Sequence, residues 1–80
     1  MIHHTSCLEI ATTAGTDIID LTSQVHSFVE EAGVRDGLVV IFTPGSTAGV
    51  TTIEYEPGAV ADLRRTLERI APTDGHYEHN

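Results

Sequence analysis

The chain has 80 residues, 40% hydrophobic and 20% charged, with twelve acids against four arginines and no lysine, a formal net charge of −8. That balance argues against a nucleic-acid or anionic-membrane partner, because both are held by clustered basic side chains. No apolar run approaches the roughly 18 residues of a membrane span, and Met1-Ile2-His3-His4 begins no signal peptide.

One cysteine, Cys7, leaves no internal disulfide framework and fits a reducing compartment, so the expected location is the cytoplasm. A chain this short buries only about 60–65% of the surface its unfolded form exposes, so residues 1–80 make one domain at most, helped by a metal or a partner subunit.

Taken in order, residues 4–12 are β-favouring, with Leu8 and Ile10 on one face and Cys7, Glu9 and Ala11 on the other, the pattern of a half-buried or edge strand. Ala14-Gly15-Thr16 supplies a turn, and Asp17–Leu21 a short second strand. Thr22 is placed as a helix N-cap; Val25, Phe28, Val29 and Ala32 follow at helical spacing, and Gly33 stands where a left-handed C-cap residue belongs. Glu30 and Glu31 occupy the last turn, the unfavourable end of the helix dipole. His26 lies beside the apolar stripe as a partly exposed histidine.

After the Asp36-Gly37 turn, Leu38-Val39-Val40-Ile41-Phe42 is apolar at every position and predicts a central strand covered on both faces. Pro44–Gly49 breaks it, and Val50–Tyr55 resumes a strand pattern. Glu56-Pro57-Gly58 opens a second helix with the stripe Val60, Leu63, Leu67 and Ile70, opposite Asp62, Arg65 and Arg69. Ala71–Gly75 ends it, and the tail His76–Asn80 has no periodicity. The order β-β-α-β-β-α predicts an α+β fold, an antiparallel β-sheet with two helices on one face, because 38–43 and 50–55 are joined by a short loop.

Two segments carry chemical interest. In Gly45-Ser46-Thr47-Ala48-Gly49 the two glycines permit positive φ and close approach, and successive N–H groups could form an anion-binding nest. No lysine follows, so it is not a nucleotide-binding P-loop. On pattern alone a plain hairpin loop accounts for the same residues. Glu54 is a candidate base or metal ligand if its strand face is buried, and an ordinary wet carboxylate if it is not. His76 and His79 have ligand chemistry but too few partners for a closed zinc site, with Glu54 a possible third. Cys7, with no cation or base beside it in sequence, reads as a small buried or edge-strand residue. Arg65 and Arg69 suit Asp62 and Glu68 as surface pairing partners.

Several segments in order along the chain resemble the YjbQ family, the secondary thiamine-phosphate synthase-like proteins. They are Ile19–Thr22, Gly33–Leu38, the long run Pro44–Gly58, Ala71-Pro72 and Tyr77–Asn80. The resemblance implies an α+β subunit forming homotrimers, of which these residues are the N-terminal portion. It also implies a weak thiamine-phosphate synthase activity, joining a pyrimidine diphosphate to a thiazole phosphate with release of pyrophosphate. By motif position it implies that Thr47, Ala48 and Gly49 belong to the site loop, Glu54 to a polar strand-end group and His79 with Asn80 to a histidine-bearing segment. Together with the nest expected at 45–49, Gly45, Ser46, Thr47, Ala48, Gly49 and Asn80 are the residues expected to bind a small phosphorylated molecule. If the chain works as an enzyme of this kind, Glu54 and His79 are expected to move a proton or to bind a divalent metal, Mg or Zn. Many members carry His where this chain has Gly45. The competing expectation is a non-catalytic small-molecule- or metal-binding or oligomer-assembly module.

Overall fold

The structure, a computed structural model, describes residues 3–13 and 15–78. It contains two α-helices, α1 (Thr22–Ala32) and α2 (Pro57–Ile70). Both are specified locally. In α1, Val25, Phe28, Val29 and Ala32 are the half-buried positions, as their spacing requires. The start differs from expectation: Thr22 is already helical and Leu21 is the cap residue, without a side-chain cap bond. Asp20 does the work instead, its Oδ1 accepting from the Thr22 N–H at 2.9 Å and from the Thr22 hydroxyl at 2.6 Å. The helix ends at Gly33, which takes φ 68° and donates its N–H to the Glu30 carbonyl at 3.1 Å. A side chain with a Cβ would be strained there, which is why glycine serves.

Pro57 opens α2, and the Glu56 carboxylate accepts from the Ala59 N–H, satisfying a first-turn donor that the helix itself leaves open. Val60 and Leu63 are half-buried, whereas Leu67 and Ile70 are exposed. At the other end, the Glu68 carboxylate accepts from the Thr73 N–H at 2.7 Å and the Thr73 hydroxyl at 2.8 Å. The Tyr77 hydroxyl donates to the Pro72 carbonyl at 2.6 Å. Tyr77 therefore folds back on the helix end.

The expected antiparallel sheet is absent: among the described residues there is no strand, so the β-β-α-β-β-α reading is corrected to two helices joined by irregular segments. The physical reason is the difference between the two element types. A helix pairs its own N–H and C=O groups within the segment, whereas a strand acquires its bonds only from a neighbour brought up from far along the chain. Residues 4–12, 17–21, 38–43 and 50–55 have strand composition without such neighbours.

The consequences run through the whole molecule. None of the described residues is buried. Leu38, expected at the centre of a covered sheet, is 88% exposed, Val40 77% and Phe42 80%. Cys7 is exposed too. No Cα of one helix lies within 8 Å of the other helix. The radius of gyration is 16.0 Å, against about 12 Å for a compact 80-residue domain and about 28 Å for an unfolded one. Tyr55 makes a long-range link, donating its hydroxyl to the Ile18 carbonyl at 3.2 Å.

Candidate functional site

The loop after Phe42 turns at Ser46 and Thr47, and all of residues 45–49 are exposed. Among the described glycines only Gly33 has positive φ, so Gly45 and Gly49 do not supply the left-handed step that a nest of amides uses. A Cβ on Gly49 would meet nothing within 4 Å, and one on Gly45 would make only ordinary contact with the Ala48 Cβ at 3.6 Å. Neither glycine is therefore demanded by crowding here.

Glu54 is exposed and, among the described residues, its carboxylate makes no hydrogen bond or ion pair. Its backbone carbonyl accepts from the Glu56 N–H at 2.9 Å, a tight bend that delivers the chain into α2. Immediately beyond lies an open depression of about 220 Å³ lined by Tyr55, Glu56, Pro57 and Val60. His79 and Asn80, the remaining expected site residues, lie outside the described residues. Among the described residues, no three His, Cys, Asp or Glu side chains gather as a metal site.

A second open depression, about 490 Å³, is lined by Thr16, Ala61, Arg64, Arg65, Glu68 and Thr73. Its charges are mixed. Arg65 pairs with Asp62 at 3.2 Å, as its helical spacing suggested, while Glu68 turns to Thr73 instead of Arg69. On α1, His26 Nε2 lies 3.0 Å from Glu30 Oε1, an ion pair only when the imidazole is protonated.

Electrostatic perturbation falls elsewhere than on the expected residues. Asp17 is lowered below the usual carboxylate value, first by the Thr13 N–H at 2.6 Å and then by the Thr13 hydroxyl, with a small further pull from Arg64. Asp20 is lowered by the Thr22 hydroxyl and then by the Thr22 N–H. Glu68 is lowered by the Thr73 N–H and then by its hydroxyl. All three shifts come from donors that prefer the ionised form. They mark carboxylates closing local turns, not acids poised to move protons. The sequence reading did not single out Asp17 or Asp20, and it gave Glu68 only as a surface partner for an arginine. The available signal was a carboxylate a few residues from a threonine, at Thr13–Asp17 ahead of α1 and at one edge of each helix, a pattern frequent in ordinary turns.

No helix among the described residues is long and apolar enough to cross a membrane. Residues 6–80 match the family model described as UPF0047 protein YjbQ-like. A UPF0047 protein of Methanothermobacter thermautotrophicus is 32% identical over 77 residues, covering 96% of this chain and 54% of the relative. The Bacillus subtilis UPF0047 protein YugU is 35% identical over 78 residues, covering 91% of this chain and 59% of its own length. A Mycobacterium tuberculosis UPF0047 protein is 43% identical over 67 residues, covering 84% and 49%. The chain thus spans about half the length of the curated relatives it matches. No solved structure gives a significant match. With the family model matching nearly its whole length, the chain belongs to the UPF0047 family of YjbQ-like proteins.

Proposed function

We propose that these 80 residues act as an assembly module of a UPF0047 domain and do no chemistry alone. The observation that carries this reading is the absence of any buried residue among those described, with Leu38–Phe42 bare to solvent. Catalysis by oriented dipoles and tuned carboxylates needs a water-excluded, rigidly supported site. An exposed Glu54 without a partner among the described residues and an open loop at 45–49 do not meet that requirement unaided.

The second reading is weak thiamine-phosphate synthase chemistry, and family membership is what favours it. In that reading the loop Gly45–Gly49 and Asn80 hold a phosphorylated substrate, and Glu54 with His79 moves a proton or binds Mg or Zn. A chain of net charge −8 depends on such a cation to neutralise departing pyrophosphate. The residues belong to the cytoplasm and to a homotrimer in this picture.

Turnover of the pyrimidine diphosphate and thiazole phosphate separates the two. The chain alone, with Mg²⁺ or Zn²⁺, is expected to form no thiamine phosphate above the uncatalysed rate and to show no substrate-induced stabilisation by calorimetry. Turnover by the chain alone that is lost in Glu54→Ala and His79→Ala would establish the second reading and remove the first.

A further inference from the structure

We infer that Asp36-Gly37 is a modification site, where Asp36 converts to isoaspartate through a succinimide, and that the same dipeptide at Asp74-Gly75 is protected by its turn. Of the five aspartates, Asp36 and Asp74 precede glycine, whereas Asp17, Asp20 and Asp62 precede Ile18, Leu21 and Leu63. Glycine matters because it has no Cβ to shield its amide nitrogen from the side chain before it. Asp36 and Gly37 are exposed in the bend that follows α1. Among the described residues the Asp36 carboxylate makes no hydrogen bond or ion pair, and the Gly37 N–H makes no hydrogen bond. Nothing holds the two reacting groups apart.

The reaction needs water alone. The Gly37 nitrogen attacks Cγ of the protonated Asp36 carboxyl; the N–Cγ bond forms, the Cγ–OH bond breaks, and the amide proton departs with that hydroxyl as water. Hydrolysis of the ring returns one water. Cleavage at Cγ restores Asp36, and cleavage at the α-carbonyl carbon leaves the chain running through the β-carboxyl as isoaspartate, with no change of oxidation state. The extra backbone carbon lies between the α1 stop at Gly33 and the apolar run Leu38–Phe42. Asp74-Gly75 has the same chemistry and is equally exposed, but its nucleophile is occupied. The Gly75 N–H donates to the Pro72 carbonyl at 3.0 Å, and Thr73 inside that turn is anchored to the Glu68 carboxylate. Ring closure there requires the turn to open first.

The test is prolonged incubation of the chain in mildly acidic buffer above pH 4.5, where Glu68 stays ionised and keeps its hold on Thr73. Isoaspartate at each position is measured by fragmentation mass spectrometry and by methyl transfer from an isoaspartyl carboxyl methyltransferase. Each rate is divided by that of a short peptide with the same local sequence, which removes the intrinsic reactivity of the dipeptide. The normalised rate at Asp36 is expected to exceed that at Asp74 at least about fivefold, the factor that one hydrogen bond is worth. Gly37→Ala is expected to slow the first site by shielding the nitrogen, and Glu68→Ala to speed the second by releasing Thr73. Equal normalised rates, an unchanged rate at Asp74 in Glu68→Ala, or an Asp36 that stays intact while its peptide reacts would each overturn the inference. None of these outcomes bears on turnover or assembly.

Discussion

The Tyr55 hydroxyl donates to the Ile18 carbonyl at 3.2 Å across 37 residues of sequence. This bond links the segment before α1 to the segment before α2, and among the described residues no Cα of one helix lies within 8 Å of the other. Tyr55→Phe keeps the ring and deletes the donor. It should separate residues 16–21 from 50–55 in spin-label distance measurements while the helix content of α1 and α2 stays constant. The bond is exposed, so its net worth is at most about 1 kcal/mol. Unchanged distances in the variant would assign the link to ring packing instead.

Acid should loosen the helix edges before it unwinds the helices. Asp20 and Glu68 have lowered pKa values because Thr22 and Thr73 donate to their ionised forms. A group depressed on folding contributes above its unfolded value, 3.8 for Asp20 and 4.5 for Glu68, and that contribution disappears as pH falls through the lower folded value. Carboxyl NMR titration is expected to give midpoints below 3.8 and 4.5 respectively. Asp20→Asn retains an acceptor and should make the Thr22 amide shift independent of pH. Midpoints at or above the reference values would refute the turn assignments.

The helices were legible because their information is local. Spacing located Val25, Phe28, Val29 and Ala32 on one side of α1, and Gly33 was identifiable as the stop because few other residues accept its φ of 68°. The sheet was not legible in the same sense. Leu38–Phe42 has the composition of a central strand, but composition specifies only what would suit the segment, and pairing depends on a neighbour that the 80 residues do not bring up. The expected site fared likewise. The loop 45–49 and Glu54 can be named from their pattern, yet nothing in a one-dimensional pattern buries a carboxylate, and Glu54 is exposed. Asp17 and Asp20 went unread, and Glu68 was read as a partner for arginine when it holds Thr73, because a carboxylate near a threonine is too common to stand out.

The start of α2 offers a test of two opposed effects at adjacent positions. The Glu56 carboxylate caps Ala59, and a Cβ on Gly58 would stand 2.7 Å from Glu56 Oε1. Glu56→Ala should therefore cost on the order of 1 kcal/mol of helix stability. Gly58→Ala gains helix propensity of up to about 1 kcal/mol but displaces the cap, so its net effect should be near zero. In the Glu56→Ala background the clash is gone and Gly58→Ala should stabilise. A double-mutant cycle by far-UV circular dichroism reads the coupling, and strict additivity would mean that the two side chains do not interfere.

Gly75 is held by contact, not by backbone conformation. It lacks the positive φ of Gly33, yet a Cβ there would lie 3.0 Å from Tyr77 Oη, 3.1 Å from Tyr77 Cζ and 3.2 Å from the Pro72 carbonyl oxygen. The two tyrosine atoms belong to a side chain that can swing away, whereas the carbonyl is backbone and can move only with the turn. Gly75→Ala should consequently break the Tyr77 bond to Pro72, at 2.6 Å, and strain the Gly75 N–H bond to the same oxygen, at 3.0 Å. The expected local cost is about 1 kcal/mol, read as faster amide exchange at Gly75 and fraying of the last turn of α2. Tyr77→Phe removes the hydroxyl that the new methyl would strike, so the two substitutions should cost less together than the sum of each alone. If instead their effects add, the tyrosine is not what confines residue 75, and the Pro72 carbonyl is left as the determinant of the turn.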